Sequence, residues 1–73
     1  MTPAEFRAAR HALGLTQDRL GWILGYGHGA QSRISDIERG RAPVTPCVER
    51  LLRAYLAGYR PSDWPAPRRR DAP

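Results

Sequence analysis

Helix-start and helix-stop signals alternate along this chain, and they constrain its fold more than any other feature. Thr2-Pro3 and Thr45-Pro46 each combine an N-cap hydroxyl with proline at the first helical position, and Thr16 is a third N-cap. A glycine follows each apolar helical stripe, at Gly14, Gly25, Gly40 and Gly58. No segment alternates apolar and polar residues with a period of two. The sequence therefore predicts an all-α fold of four to five short helices.

The length of the chain predicts one domain, because 73 residues offer too little interior for two cores. We assign residues 1–59 to a helical domain. Residues 60–73 hold four of the seven prolines and four of the twelve arginines, and we predict an extended C-terminal tail there.

Membrane and export signals are missing from the sequence. No apolar run approaches the roughly 18 residues that a membrane span needs. The start, MTPAEF, lacks the basic and apolar regions of a secretory signal. We expect no membrane association and a cytoplasmic location.

The charge of the chain points to a polyanionic partner. Its formal net charge is +5, and every basic residue apart from histidine is arginine. One cysteine and two histidines cannot form an internal disulfide or a four-ligand zinc site. The sequence contains no known cofactor motif and no pair of catalytic carboxylates. We therefore predict a binding protein that is not an enzyme and uses no metal or cofactor.

The second and third helices carry the most specific motifs. Two short helices joined by a glycine-containing turn, the second with a polar outer face, suit the DNA major groove. The chain resembles the helix-turn-helix signature of the Cro and lambda-repressor-like (Xre-type) family through Leu15-Thr16-Gln17, Leu20-Gly21, Leu24-Gly25, Ile34-Ser35 and Ile37-Glu38-Arg39-Gly40. The resemblance covers about residues 3–58 and implies a compact DNA-binding domain. The wider sequence is also similar to small phage-associated repressors, of which anti-CRISPR-associated autoregulators are one group.

The turn before the third helix departs from the family pattern. Between Gly25 and Ile34 the chain has about three residues more than the family's usual turn, and they fall within residues 26–29. The first residue of the third helix is left open by this enlargement. So is whether Tyr26 or His28 reaches DNA.

The outer face of the third helix is predicted to contact bases through Gln31, Ser32, Arg33, Ser35 and Asp36. Arg33 can bond bidentately with guanine O6 and N7, and Gln31 with adenine N6 and N7. Asp36 can accept from cytosine N4, but phosphates repel its carboxylate. We therefore expect it to orient Arg33 or Arg39.

Other residues have predicted positioning or architectural roles. We expect DNA phosphates to be contacted by Thr16, Gln17, Arg39 and Arg41. The resemblance implies that Arg10 and Glu38 form a structural ion pair between the first and third helices. Gly21 would allow the second and third helices to cross closely.

The apolar surface of the fourth helix predicts a cover. Tyr55, Leu56 and Tyr59 make this helix apolar around more than one stripe. Either Trp64 folds back over it or a second subunit covers it, and we favour a symmetric homodimer. Such a dimer would place two recognition helices about 34 Å apart and bind an inverted-repeat operator.

Together these features predict a sequence-specific double-stranded DNA-binding transcriptional regulator, a dimeric autorepressor with no small-molecule ligand. Two alternatives stay open. One is the antitoxin of a toxin-antitoxin pair, with the tail binding the toxin. The other is a protein-protein adaptor that uses the same fold.

Overall fold

The computed structural model of the chain describes residues 1–62 and residue 64. Its regular structure consists of four helices, α1 (Pro3–Ala12), α2 (Gln17–Ile23), α3 (Ala30–Glu38) and α4 (Pro46–Leu56). No strand occurs in this described part of the chain. The predicted all-α fold is thus confirmed. Most of the predicted tail, residue 63 and residues 65–73, lies outside the described residues, and the domain boundary at residue 59 stays a prediction.

Threonine side chains begin three of the helices, as the sequence predicted. At the start of α1, the Thr2 hydroxyl accepts from the Glu5 backbone N–H at 3.1 Å, and the Glu5 carboxylate accepts from the Thr2 N–H at 2.7 Å. The hydroxyls of Thr16 and Thr45 each accept from a backbone N–H three residues later. Each such cap stabilises its helix by about 1 kcal/mol, so helix position is encoded locally.

The core is built from one fully buried side chain of each helix: Phe6, Leu20, Ile34 and Leu52. Leu15, Ile37, Val48 and Tyr55 complete the buried cluster. Complete burial of such a side chain contributes about 1.5–3 kcal/mol. Ile34 and Ile37 form a narrow apolar stripe on α3, and they fix which face of that helix points outward.

Helices α2 and α3 approach each other closely at Gly21. A Cβ atom at this position would lie 2.5 Å from the Ala30 Cβ and 2.7 Å from the Ala30 carbonyl oxygen. Neither distance is compatible with van der Waals radii. The predicted requirement for glycine at position 21 is confirmed.

The end of α4 is partly covered from within the chain. The Trp64 ring lies edge-on to the Tyr55 ring, with 5.2 Å between centroids. The Arg60 guanidinium lies 4.3 Å from the Trp64 ring centroid and donates to the Tyr55 carbonyl oxygen at 2.6 Å. Leu56 and Tyr59 nevertheless stay 48% and 56% exposed. Trp64 therefore supplies only part of the cover that the apolar surface of α4 predicted.

None of the helices in the described part of the chain is long and apolar enough to cross a membrane.

Candidate nucleic-acid interface

The enlarged turn between α2 and α3 is a glycine-rich loop with a fixed geometry. Gly25, Gly27 and Gly29 have φ angles of 92°, 66° and 79°, a region that other residues seldom adopt. Gly29 is the N-cap of α3, so this helix begins at Ala30. Tyr26 packs against the core, whereas the exposed His28 ring lies 6.0 Å from the Trp22 ring. The start of α3, which the sequence left open, is thereby defined.

The outer face of α3 is polar and accessible. Gln31, Ser32 and Arg33 are exposed at its first turn, and Ser35 and Asp36 are half-buried. Ile34 and Ile37, on the opposite face, retain 0% and 3% of their accessible surface. The structure therefore places the five predicted base-contacting residues away from the core, with the first three the most accessible.

A hydrogen bond joins the first turns of α2 and α3. The Gln31 Nε2 donates to the Gln17 Oε1 at 2.8 Å, and the Gln17 Nε2 donates to the Glu38 Oε1 at 3.0 Å. The Gln17 amide, which we expected to donate to a phosphate, is thus used first to hold Gln31 and Glu38. An amide carries two N–H donors, so one donor of each glutamine remains for an outside partner.

Glu38 anchors this chain of hydrogen bonds. Its carboxylate accepts from the Arg10 Nε at 2.6 Å and the Arg10 Nη2 at 3.3 Å, a bidentate contact between α3 and α1. The Arg10 Nη1 also donates to the Leu15 carbonyl oxygen at 2.9 Å. The structure thus brings together the two residues for which the resemblance implied an ion pair, and it links them to the outer face through Gln17.

The Glu38 carboxyl group ionises more easily than an ordinary glutamate. Burial raises its pKa, but the hydrogen bonds from Arg10 and Gln17, with the charges of Arg10 and Arg7, lower the pKa by more. The net effect is a pKa below the usual range. Glu38 is therefore a carboxylate at neutral pH, the form that Arg10 and Gln17 require.

Asp36 does not take the position that we expected for it. Neither Arg33 nor Arg39 lies within ion-pair distance of its carboxylate, and the Arg33 guanidinium lies 5.4 Å from the Tyr26 ring centroid instead. The orienting contact from Asp36 is therefore not formed in this structure. The aromatic ring beneath Arg33 belongs to the glycine-rich turn that precedes α3.

The remaining predicted phosphate contacts are accessible. Thr16, Arg39 and Arg41 are exposed. The Thr16 hydroxyl accepts from the Arg19 N–H at 3.1 Å and keeps its own hydrogen for donation. Arg39 and Arg41 form no ion pair with any residue that the structure describes, so both guanidinium groups are available to an anion.

Two residues of this region were missed by the sequence interpretation. The Arg7 Nε lies 3.5 Å from the Glu38 Oε1, and its spacing of three residues from Arg10 was a usable signal that both lie on one face of α1. Tyr26 was considered only as a direct DNA contact. Nothing in the sequence indicates its position beneath Arg33, because a glycine-rich turn has no periodicity from which a side-chain direction follows.

The comparisons with known proteins agree with this geometry. A family model described as a helix-turn-helix domain matches residues 4–61. No curated protein and no solved structure matches the chain. The matched residues include α2, α3, α4 and all of α1 except its first residue, with the α2-turn-α3 unit at their centre. They indicate a DNA-binding regulator consistent with an Xre/Cro-like fold. The chain therefore belongs to the helix-turn-helix domain family.

Proposed function

We propose that this protein is a sequence-specific transcriptional regulator that inserts α3 into the major groove of double-stranded DNA. The observation that carries the proposal is the exposed polar face of α3 at Gln31, Ser32 and Arg33, held from behind by Ile34 and Ile37. A helix fits the major groove, where the edge of each base pair presents a distinct pattern of donors and acceptors. Bases are contacted by the exposed side chains.

Gln31 and Arg33 supply the most selective contacts of this face. Gln31 uses one N–H to bond Gln17, and its second N–H and its carbonyl oxygen suit adenine N7 and N6. Arg33 suits guanine O6 and N7. Each bidentate contact discriminates against the wrong base by about 1–3 kcal/mol. Ser32, Ser35 and Asp36 complete the contacting set.

Phosphate contacts set the position of the domain on the duplex. Thr16 and the second N–H of Gln17 lie at the start of α2, where backbone N–H groups also favour an anion. Arg39 and Arg41 follow the end of α3, where the chain leaves the groove, and they neutralise phosphates there. The formal net charge of +5 supports the same partner.

The regulator acts as a homodimer that represses by occluding a promoter, its own included. The exposure of Leu56 and Tyr59 supports a subunit contact at the end of α4. Two-fold symmetry then requires an inverted repeat, with half-sites about 34 Å apart.

Selection of binding sites from random duplex DNA tests this function directly. We expect the wild-type protein to select an inverted repeat, and Arg33→Ala to relax the preference at one position of each half-site. Arg50→Ala is the matched control, because it removes an exposed arginine from α4 and should leave the selected sequence unchanged. Equal weakening at every position would assign Arg33 to a phosphate contact. If the wild-type protein selects no preferred sequence at all, the proposal is contradicted.

The dependence of affinity on salt separates DNA binding from a protein-protein adaptor. Log affinity for the selected duplex should fall by about 0.9 per neutralised phosphate for each unit of log salt. Arg41→Ala should reduce this slope by about one phosphate. A shallow slope without sequence preference would favour the adaptor.

A further inference from the structure

We propose that Tyr26 is a positioning residue that holds the Arg33 guanidinium ready for guanine, and that this contact is the role of the enlarged turn. The inference rests on the proposed function. It assigns the selectivity of Arg33 to an aromatic ring outside the recognition helix rather than to a carboxylate on it.

Tyr26 is a fixed support. Its backbone N–H donates to the Gly21 carbonyl oxygen at 3.0 Å, which ties the turn to α2. Its ring is half-buried and packs against the core. Gly25 and Gly27, on either side, adopt the left-handed backbone that carries the chain around it. The ring therefore keeps its place while the polar residues of α3 stay exposed.

Arg33 is the exposed partner in this contact. Its side chain is exposed, and its charge lies 5.4 Å from the centre of the Tyr26 ring, within the range of a cation-π interaction. No acceptor among the described residues bonds to its guanidinium. The ring thus restrains the group by its charge and leaves the N–H donors, which guanine needs, without partners.

The restraint affects selectivity rather than general attraction to DNA. An arginine that is already restrained loses less side-chain freedom when it bonds with guanine. When another base occupies that position, Arg33 forms no bidentate contact. The smaller loss of side-chain freedom then gives no gain in affinity. A saving of about 0.5–1 kcal/mol, which lies within the cost of immobilising one flexible side chain, corresponds to about a two- to fivefold loss of guanine discrimination when the ring is removed.

The test compares Tyr26→Leu, which keeps apolar bulk, with Tyr26→Phe, which keeps the ring. Affinities are measured on the selected operator and on duplexes with a single base changed at each position. We expect Tyr26→Leu to lose discrimination only at the position that Arg33 reads, with an unchanged salt slope, and Tyr26→Phe to restore it. In an Arg33→Ala background, Tyr26→Leu should have no further effect at that position. Unchanged discrimination in Tyr26→Leu, or an equal loss at every position, would overturn the inference.

NMR of the free protein separates this inference from the DNA-binding proposal. Ring-current shifts should move the Arg33 side-chain protons upfield in the wild type and in Tyr26→Phe, and this displacement should vanish in Tyr26→Leu. If the leucine variant does not fold, the wild-type spectrum alone shows whether Arg33 contacts the Tyr26 ring. Unshifted Arg33 protons refute the contact whatever the protein binds, whereas shifted protons in a protein that selects no DNA sequence refute the proposed function instead.

Discussion

Glu38 lies where three helices meet, since its carboxylate accepts from Arg10 of α1 and Gln17 of α2 while the residue itself ends α3. Its side chain is 1% exposed, and that of Arg10 is 13% exposed. Through Gln17 the carboxylate also determines where Gln31 lies. At the scale of single residues, the same group therefore joins the stability of the domain to the geometry of its outer face.

Replacement of Glu38 by alanine should unfold the domain rather than merely weaken its binding. The change leaves the largely buried Arg10 guanidinium with the Leu15 carbonyl oxygen but without its carboxylate partner, and loss of one side of such a pair costs about 3–5 kcal/mol. A domain of this size has a free energy of unfolding of only about 0.05–0.15 kcal/mol per residue. Urea denaturation followed by circular dichroism measures the loss. Arg7→Ala is the control, because this exposed partner should contribute no more than about 1 kcal/mol. Equal stability of Glu38→Ala and wild type would contradict the role of the pair.

Acid should weaken the fold through the same carboxylate. The pKa of Glu38 in the folded protein lies below its ordinary value of 4.5, so the unfolded chain binds its proton first as the pH falls. The stabilisation is complete above the ordinary value and is lost as the pH falls through the lower, folded value. Glu49, whose pKa is lowered by hydrogen bonds from the Met1 amino group and Arg53, acts in the same direction at the surface.

Unfolding measured between pH 7 and pH 3 checks this dependence. Glu38→Gln, which keeps an acceptor for Arg10, should make the free energy of unfolding less sensitive to acid. Glu49→Gln should change that sensitivity less, because Glu49 is more exposed than Glu38 and its Arg53 partner is 67% exposed. If the acid sensitivity survives in Glu38→Gln and disappears in Glu49→Gln, it arises from Glu49, and the role given to Glu38 is contradicted.

At the scale of elements, the close crossing of α2 and α3 at Gly21 fixes the orientation of α3. Gly21→Ala would increase helix propensity by about 1 kcal/mol, yet its Cβ would lie 2.5 Å from the Ala30 Cβ. Overpacking of this kind costs about 1–3 kcal/mol, so we expect a net loss of stability. Thermal unfolding is the measurement. Ala8→Gly, at an exposed position of α1, calibrates propensity alone, and a Gly21→Ala protein more stable than wild type would contradict the crossing.

The helices were predictable from the sequence because their signals are local. Thr2, Thr16 and Thr45 each cap a helix within three residues of themselves, and the isoleucines of α3 reveal its buried face by their spacing. The turn between α2 and α3 was not predictable to the same degree, since three nearby glycines offer several places for a helix to begin.

Polar contacts between the side chains of different helices were predicted only where the family resemblance implied them. It implied a pairing of Arg10 with Glu38, and the structure places the two in contact. The Gln17 amide donates inward to Glu38, and Arg33 lies over Tyr26 instead of pairing with Asp36. Both outcomes depend on the exact path of the enlarged turn and on rotamers, which no sequence period encodes.

At the scale of the whole molecule, the apolar end of α4 is the surface that a second copy would cover. A domain of about 60 residues buries only about 60% of its unfolded surface, and a subunit contact adds to that burial. Tyr59 stacks on Tyr55 with 6.0 Å between ring centroids and extends the buried cluster to the surface. Leu56, the last residue of α4, is 48% exposed. The proposed dimer therefore predicts a specific sensitivity to charge at this end of α4.

Leu56→Glu should convert the dimer into a folded monomer, because a carboxylate in an apolar contact has no partner there. Sedimentation at the concentrations that saturate the operator measures the assembly state. Affinity for the full inverted repeat should fall steeply, whereas affinity for one half-site should stay near the wild-type value. Cys47→Glu is the matched control, since it adds the same charge at an exposed position on the first turn of α4 and should leave assembly intact. A wild-type protein that saturates the operator as a monomer would contradict the subunit contact. The inverted repeat would then be occupied by two monomers that bind independently.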